Sequence, residues 1–266
     1  MKAVIFDLDD TLLRDDRTIS DYTVGVLRQA SARGIHVIPA SGRACRSMEP
    51  FVRQLDCASL FVACNGAEVW SPDVTLLDQV QMDVDIAREV ARFAQERGCY
   101  IQTYAGPHFY YNMKGPWAEA YAASSMLDGI YVGDLERYLS GPTSKLLVMD
   151  EPDHVTRYLT EARAQFDGRL SVSCSKPYFL EFNPLLATKG HALALCAARL
   201  GFDVSEAVAF GDSLNDLSML QCAGLGVAVA NARDDVKCLC GDVCLSNRED
   251  GVAHYIEQLL KEEPRP

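Results

Sequence analysis

The stretch VIFDLDDTLL, residues 4–13, decides the fold. Val4, Ile5 and Phe6 run without the polar alternation of a half-exposed strand, so they read as a strand covered on both faces. Three carboxylates follow at once, Asp7, Asp9 and Asp10. Like charges crowded at the end of a buried strand repel one another, and burying them is costly unless a cation or a proton resolves the conflict. The stretch needs a positive charge that it does not itself contain.

Similar short apolar runs recur at AVIF (3–6), HVIPA (36–40), LFVAC (60–64), AVAF (207–210) and GVAVA (226–230), each bounded by Gly, Asp, Asn or Ser. Between them lie the helical patterns DYTVGVLRQASARG, CRSMEPFVRQLD, KGHALALCAARLGF and NDLSMLQCAG. Strand and helix in alternation predict an α/β fold with a doubly wound, parallel, Rossmann-like core. The middle differs. Two helical stretches, DVDIAREVARFAQERG and PDHVTRYLTEARAQF, stand among alternating strands such as YIQTYAG, HFYYNMKG, KLLVMD, LSVSCS and YFLEFNP. This predicts an inserted α+β domain over residues 81–186, with the core made of residues 1–80 and 187–266 and the links near LLDQVQMD and EFNPLLAT. The insert reads as a cap that selects substrates. There is no internal repeat, and the end, KEEPRP, reads as a charged tail.

The 266 residues are 48% hydrophobic, ample for a packed core. A net charge of −12 argues against nucleic acid or an anionic membrane surface as the main partner, so any anionic ligand must be held by local groups. No run approaches a membrane span or a signal sequence, which makes the cytoplasm the expected location. The ten cysteines are spread through apolar segments, where a thiol behaves as a small hydrophobe. Only CLCGDVC brings three together, Cys238, Cys240 and Cys244, and its spacing lacks the CxxC pair and the nearby His of a metal site.

Ligands of an open parallel sheet bind beyond the carboxyl ends of its strands. Just past those ends stand Asp7 and Asp9, then Ser41, then Asp212. Ser41 and Gly42 in ASGRACRSM can be an ordinary N-cap with a turn glycine, or an anion site of hydroxyl and backbone N–H groups. In NPLLATKGHALAL, Thr188 suits an N-cap and puts Lys189 in the first turn, where a cation opposes the helix dipole unless an anion meets it. In FGDSLNDLSML, Asp212 follows a strand and Asn215 and Asp216 open the next helix; as capping residues they have a purely structural reading too. Mg2+ takes one or two carboxylates and keeps its other positions for water and substrate oxygens. The missing charge is most simply Mg2+, held by Asp7 and Asp212.

DLDDTLL, SGR, TKG at Lys189 and GDSLND occur in the order and approximate spacing of the four motifs of the haloacid dehalogenase superfamily, and the α+β insert resembles the cap of its Cof-type phosphatases. The resemblance covers essentially the whole chain. One variation is Asp10, which stands where the family often has Gly. The resemblance implies a Mg2+-dependent hydrolase of small-molecule phosphate monoesters. Asp7 would be the nucleophile that forms an aspartyl-phosphate, and Asp9 the acid and base, with its backbone carbonyl on the metal. Asp7, Asp9 and Asp212 would hold the metal; Ser41 and Lys189 would offset phosphoryl charge. Leu8, Gly42 and Asn215 would contact the phosphate, and Asp216 would orient Lys189. The loop at Asn65 and Gly66 and the cap would read the substrate, with sugar phosphates and cofactor phosphates among the candidates. A phosphomutase would share every motif but need a phosphate cluster in the cap, which the basic residues Lys114, Arg137, Lys145 and Lys176 do not suggest. A non-catalytic phosphate-ester-binding module would bind without turnover.

Overall fold

The computed structural model describes residues 1–106 and 108–262, so the last four residues of the KEEPRP tail lie outside the described residues. In chain order, β1 (Ala3–Phe6) leads through an irregular turn to α1 (Asp21–Ala32), β2 (His36–Pro39), α2 (Cys45–Leu55), β3 (Phe61–Ala63), β4 (Glu68–Trp70) and β5 (Leu76–Gln79). Then come α3 (Val84–Glu96), β6 (Tyr100–Ala105), β7 (His108–Tyr111), α4 (Pro116–Ser125), β8 (Asp128–Tyr131) and α5 (Leu135–Tyr138). β9 (Leu146–Met149), α6 (Pro152–Gln165), β10 (Leu170–Lys176) and β11 (Phe179–Pro184) complete the middle. The last third holds α7 (Lys189–Leu200), β12 (Ala207–Gly211), α8 (Leu217–Cys222), β13 (Leu225–Val229), α9 (Asp234–Lys237), β14 (Asp242–Cys244) and α10 (Gly251–Glu262).

Two compact units result. One comprises Met1–Gly42, Met48–Asp78 and the chain from Thr188 onward; the other comprises Arg43–Ser47 and Gln79–Ala187. In the first, five parallel strands run in the order β14-β13-β12-β1-β2. The strand order reverses between β1 and β12, the switch point at which a doubly wound sheet opens a crevice. Every residue of β1 and β12 is buried, as continuous apolar strands require when helices cover both faces. Ile5, Ala207 and Ala209 pack with Leu193 and Cys196 of α7 and Met219 of α8. On the opposite face Phe210 meets Tyr255 of α10, ring centroids 5.7 Å apart. The α/β class, the parallel core and the inserted α+β segment are those expected from the sequence.

The second unit carries a six-stranded sheet, β10-β11-β9-β6-β7-β8, antiparallel except for the β7–β8 pair. Among the described residues, no helix is long and apolar enough to cross a membrane.

Several elements depart from the sequence reading. The run at 60–64 is read as a core strand; it keeps a parallel link to β2 through the Ala40–Val62 bridge and the bond from the Ser59 N–H to the Val37 carbonyl, while its ladder is antiparallel, with β4. Cys64, Asn65 and Gly66 all have positive φ, which turns the chain straight back into β4. Among the described residues the middle holds four helices rather than two. PWAEAYAASS, which forms α4 behind Gly115 and Pro116, has too weak a polar face for its periodicity to stand out. The strand β14 and the helix α10 also go unread. Cys244 is buried on β14, while Cys238 is exposed and Cys240 half-buried, and none of the ten cysteines is in a disulfide.

Candidate active site

Asp7 follows β1 directly, and its N–H still donates to the Phe210 carbonyl at 3.0 Å, so the parallel ladder fixes its place beside the end of β12. Leu8 is fully buried, which anchors the turn in the core. Asp9 and Asp10 leave helical geometry, Asp10 at φ 60°, and the chain turns back on itself. Two residues on from Asp9, the Thr11 hydroxyl donates to Asp212 Oδ1 at 3.0 Å. Thr11 stood in the motif without a role of its own; a hydroxyl placed directly after clustered acids was the signal for it.

Lys189 opens α7 behind Thr188, whose hydroxyl accepts from the His191 N–H at 3.1 Å. The Lys189 ammonium is fully buried and ion-pairs with Asp7 and, at 2.5 Å, with Asp216 Oδ1. It can reach both because α7 and α8 approach closely at Gly190, where a Cβ would lie 2.4 Å from the Ser218 carbonyl oxygen. Asp216 is held as firmly. Its Oδ2 accepts from the N–H groups of Asp212 and Ser213, both at 3.0 Å, and it folds back over Gly211, where a side chain would strike its carboxylate.

A second group lies around the end of β2. Ser41 is buried, its N–H bonded to the Val62 carbonyl at 2.9 Å and its carbonyl accepting from the Asn65 N–H at 3.0 Å. Gly42 packs against the Asn65 amide, and Asn65 Oδ1 accepts from Asn215 Nδ2 at 3.1 Å. The turn of positive φ that follows β3 thus places Asn65 among these groups.

The electrostatics follow from burial. Burial pushes the Asp7 carboxyl well above the usual carboxylate range; Lys189 opposes this, and Asp216, Asp212 and Asp9 add to it. Asp212 rises to about 7, by burial first and then by Asp216, against the Thr11 hydrogen bond. Burial alone would lower the affinity of the Lys189 amine for its proton, but Asp216 and Asp7 outweigh it and hold the group above its ordinary value. One ammonium therefore faces more carboxylate charge than it can neutralise. Carboxylate oxygens of Asp7, Asp212 and Asp216 lie within 4.8 Å of one another, a hard-oxygen set that suits a small dication. Since both Asp216 oxygens are already engaged, Asp7 and Asp212 have the greater capacity to take one.

The basic residues of the second unit each have their own partner. Arg137 pairs with Asp134 at 3.2 Å, Lys145 pairs with Glu181, and Lys114 and Lys176 lie over the rings of Tyr131 and Phe179.

The family model of haloacid dehalogenase-like hydrolases matches residues 4–256. Phosphatase YwpJ of Bacillus subtilis (strain 168) is 29% identical, with 98% of this chain and 100% of that protein aligned. The 5-amino-6-(5-phospho-D-ribitylamino)uracil phosphatase YcsE of the same organism is 28% identical over 96% of this chain and 94% of its own length. Among solved structures, a haloacid dehalogenase-like hydrolase from Bacteroides thetaiotaomicron superposes with a TM-score of 0.88 at 27% identity, covering 97% of this chain and 99% of that one.

Proposed function

The chain belongs to the haloacid dehalogenase-like hydrolases, and from that premise we propose that it hydrolyses small-molecule phosphate monoesters through a phosphoryl group carried on Asp7. The observation that carries this reading is the buried Lys189 ammonium, set between Asp7 and Asp216 at the switch point of a parallel sheet. A purely structural lysine would not be retained with two carboxylates where burial makes every charge costly. Relatives named as phosphatases support the reaction class.

In this reading Asp7 attacks phosphorus as its bond to the ester oxygen breaks, and Asp9 donates a proton to the departing oxygen. Water then attacks the phosphorus of the aspartyl-phosphate as Asp9 takes a proton from it, the bond from phosphorus to the Asp7 oxygen breaks, and inorganic phosphate leaves with the Asp7 carboxylate restored. The transfer becomes two easier steps, the usual gain from a covalent intermediate. Lys189 stays protonated throughout and fixes the orientation of Asp7, while Asp216 fixes Lys189. The Ser41 hydroxyl and the N–H groups of Leu8 and Gly42 receive phosphoryl oxygens; Asn215, steadied by Asn65, contacts the same group. Mg2+ suits the carboxylates of Asp7 and Asp212 and the Asp9 carbonyl, and when bound it offsets charge on the phosphoryl oxygens. Residues 81–186 serve as the cap that selects the ester, and ten cysteines without a disulfide fit work in a reducing cytoplasm.

Phosphate release measured over a panel of sugar, polyol, nucleotide and cofactor phosphates tests the proposal. Release with Mg2+, lost when a chelator replaces it, is expected for at least one ester. Failure on every ester, aryl phosphates included, would refute it.

A further inference from the structure

Within the first unit, hydrogen bonds join the turns beyond four neighbouring strands of the parallel sheet, β14, β13, β12 and β1. The turn after β1 is the strained one, since Asp10 stands at φ 60° and ψ 6°, a left-handed conformation uncommon outside glycine. Such a residue persists only where its surroundings over-determine it. Two asparagines do so. Asn231, just past β13, donates from Nδ2 to the Asp10 carbonyl at 2.7 Å. Asn247, past β14, gives its backbone N–H to Asn231 Oδ1 and its side-chain amide to the Leu13 carbonyl, both at 2.9 Å. Both ends of the segment from Asp10 to Leu13 are pinned. From the same turn as Asn231, the Arg233 N–H donates to the Asp212 carbonyl at 3.1 Å, while the Thr11 hydroxyl holds the Asp212 side chain.

Folding accounts for one of these asparagines and not for the other. Asn247 is 2% exposed, and a side-chain amide buried so deeply must be bonded whatever else it does. Asn231 is exposed, and water competes for its amide, so two fixed hydrogen bonds return little stability for the side-chain freedom they cost. The buried residue aims the exposed one, and the exposed one reaches past β12 to the turn that follows the nucleophile.

We propose that Asn231 is a positioning residue for proton transfer, holding the Asp10 carbonyl so that the preceding residue, Asp9, presents its carboxyl to the departing oxygen. The inference rests on the phosphatase reading above and adds a residue to it. Asp9 is itself extended, at φ −69° and ψ 127°, so the direction of its side chain follows wherever the next peptide is held. Once the Asn231 bond is gone, Asp10 relaxes out of the left-handed region and carries Asp9 with it. A shift of about 1 Å at a catalytic group is enough to cost orders of magnitude in rate. The loss falls on the step that needs the proton, because Asp7 is held separately by its own N–H bond to Phe210 and by Lys189.

The test compares kcat/KM for phenyl phosphate with kcat/KM for p-nitrophenyl phosphate. The two esters are alike in shape, but p-nitrophenolate leaves readily without a proton and phenolate gains much more from one. In Asn231→Ala the ratio of phenyl to p-nitrophenyl ester falls by about fivefold or more, whereas a purely structural role would slow both equally and leave the ratio alone. Asn231→Asp keeps the shape and loses the N–H donor, so it lowers the ratio as well and serves should Asn231→Ala not fold. Arg248→Ala is the control. It removes the 2.7 Å ion pair to Asp15, on the same loop but beyond the turn, and leaves the ratio unchanged. An unchanged ratio in the folded Asn231 variants, or an equal fall in Arg248→Ala, overturns the inference and leaves the phosphatase reading standing. An unaltered protein that cleaves neither these nor any other ester defeats that reading, and the inference falls with it.

Discussion

The two sheets of this molecule keep their polar groups in different places. In the parallel sheet of the first unit, β1 and β12 are apolar along their whole length, and the carboxylates of the site lie just beyond their carboxyl ends, at Asp7 and Asp212. In the mainly antiparallel sheet of the second unit, the alternate residues Glu181 and Asn183 lie within a strand, on one face. The connections account for the difference. Parallel strands need crossover helices, which cover both faces and leave only strand ends open to chemistry, whereas antiparallel neighbours can join by short turns and leave part of a face uncovered. One arrangement converges a few groups on a point and suits bond-making; the other spreads polar groups along a face. Substitutions at the strand ends of the first sheet should then change the rate for every substrate, and substitutions within the second sheet should change stability before they change the rate.

The largest effect belongs to Asp7→Asn. If the strand end is where bonds are made, the amide removes the nucleophile, and phosphate release should fall by at least about 10,000-fold for every ester, as when a nucleophile is deleted elsewhere. Circular dichroism should show an unchanged fold. Substantial turnover by the folded variant would break the comparison at its strongest point.

Next comes Lys189→Met. Removing the ammonium should slow turnover by roughly 1,000-fold across substrates, the scale of losing one transition-state charge contact. It also strands buried carboxylates. The metal-free variant should lose about 3–5 kcal/mol of stability, the usual cost of breaking a buried ion pair, and added Mg2+ should restore part of it. Near-normal turnover would reduce Lys189 to a structural group.

How much of this was legible in the sequence depended on whether a feature is local. Asp7 and Asp212 could be read because apolar runs stop on them, and the Thr188 cap placed Lys189 at a helix start. The α/β class followed from the alternation of strand and helix. The partner Asp216 was implied for Lys189 by the resemblance alone; that the ammonium would pair with Asp7 as well could not be read, because it depends on how the end of β1 and the start of α7 meet in the fold. Likewise, the left-handed turn at Cys64–Gly66 folds the chain back so that β4 pairs antiparallel with β3, and nothing in LFVAC signals it. Lys145 was read as one dispersed basic residue; its pairing with Glu181 needs the register of β9 against β11.

A smaller effect tests how charge is balanced at the strand ends. Asp212 titrates at about 7 in the folded chain, raised by burial and then by Asp216, against an ordinary value of 3.8. A carboxyl whose folded pKa is raised contributes stability below the unfolded value, and that contribution is lost as pH rises through the folded one. Metal-free protein should therefore lose stability between about pH 4 and pH 7. A divalent cation replaces the lost protons, so the rise in Tm on adding Mg2+ should be larger at pH 8 than at pH 5.5. An equal rise at both would mean that the cation binds away from these carboxylates.

The smallest effect on catalysis is expected at Phe182, and it sharpens the comparison most because Phe182 stands between Glu181 and Asn183. Alternation turns its ring to the opposite face, where it is fully buried against Phe93 and Phe166 at centroid distances of 6.0 and 5.6 Å. Phe182→Leu keeps an apolar group there but leaves a small void, at a cost of about 1–2 kcal/mol. Tm should fall by a few degrees. The rate of phosphate release from each ester should stay within about twofold of that of the unaltered protein, since no group at the ends of β1 and β12 has been touched. Stability and rate would then be divided between the two sheets. If Phe182→Leu slows release as far as Lys189→Met does, the packing of the second sheet sets the rate, and the strand ends of the first do not act alone.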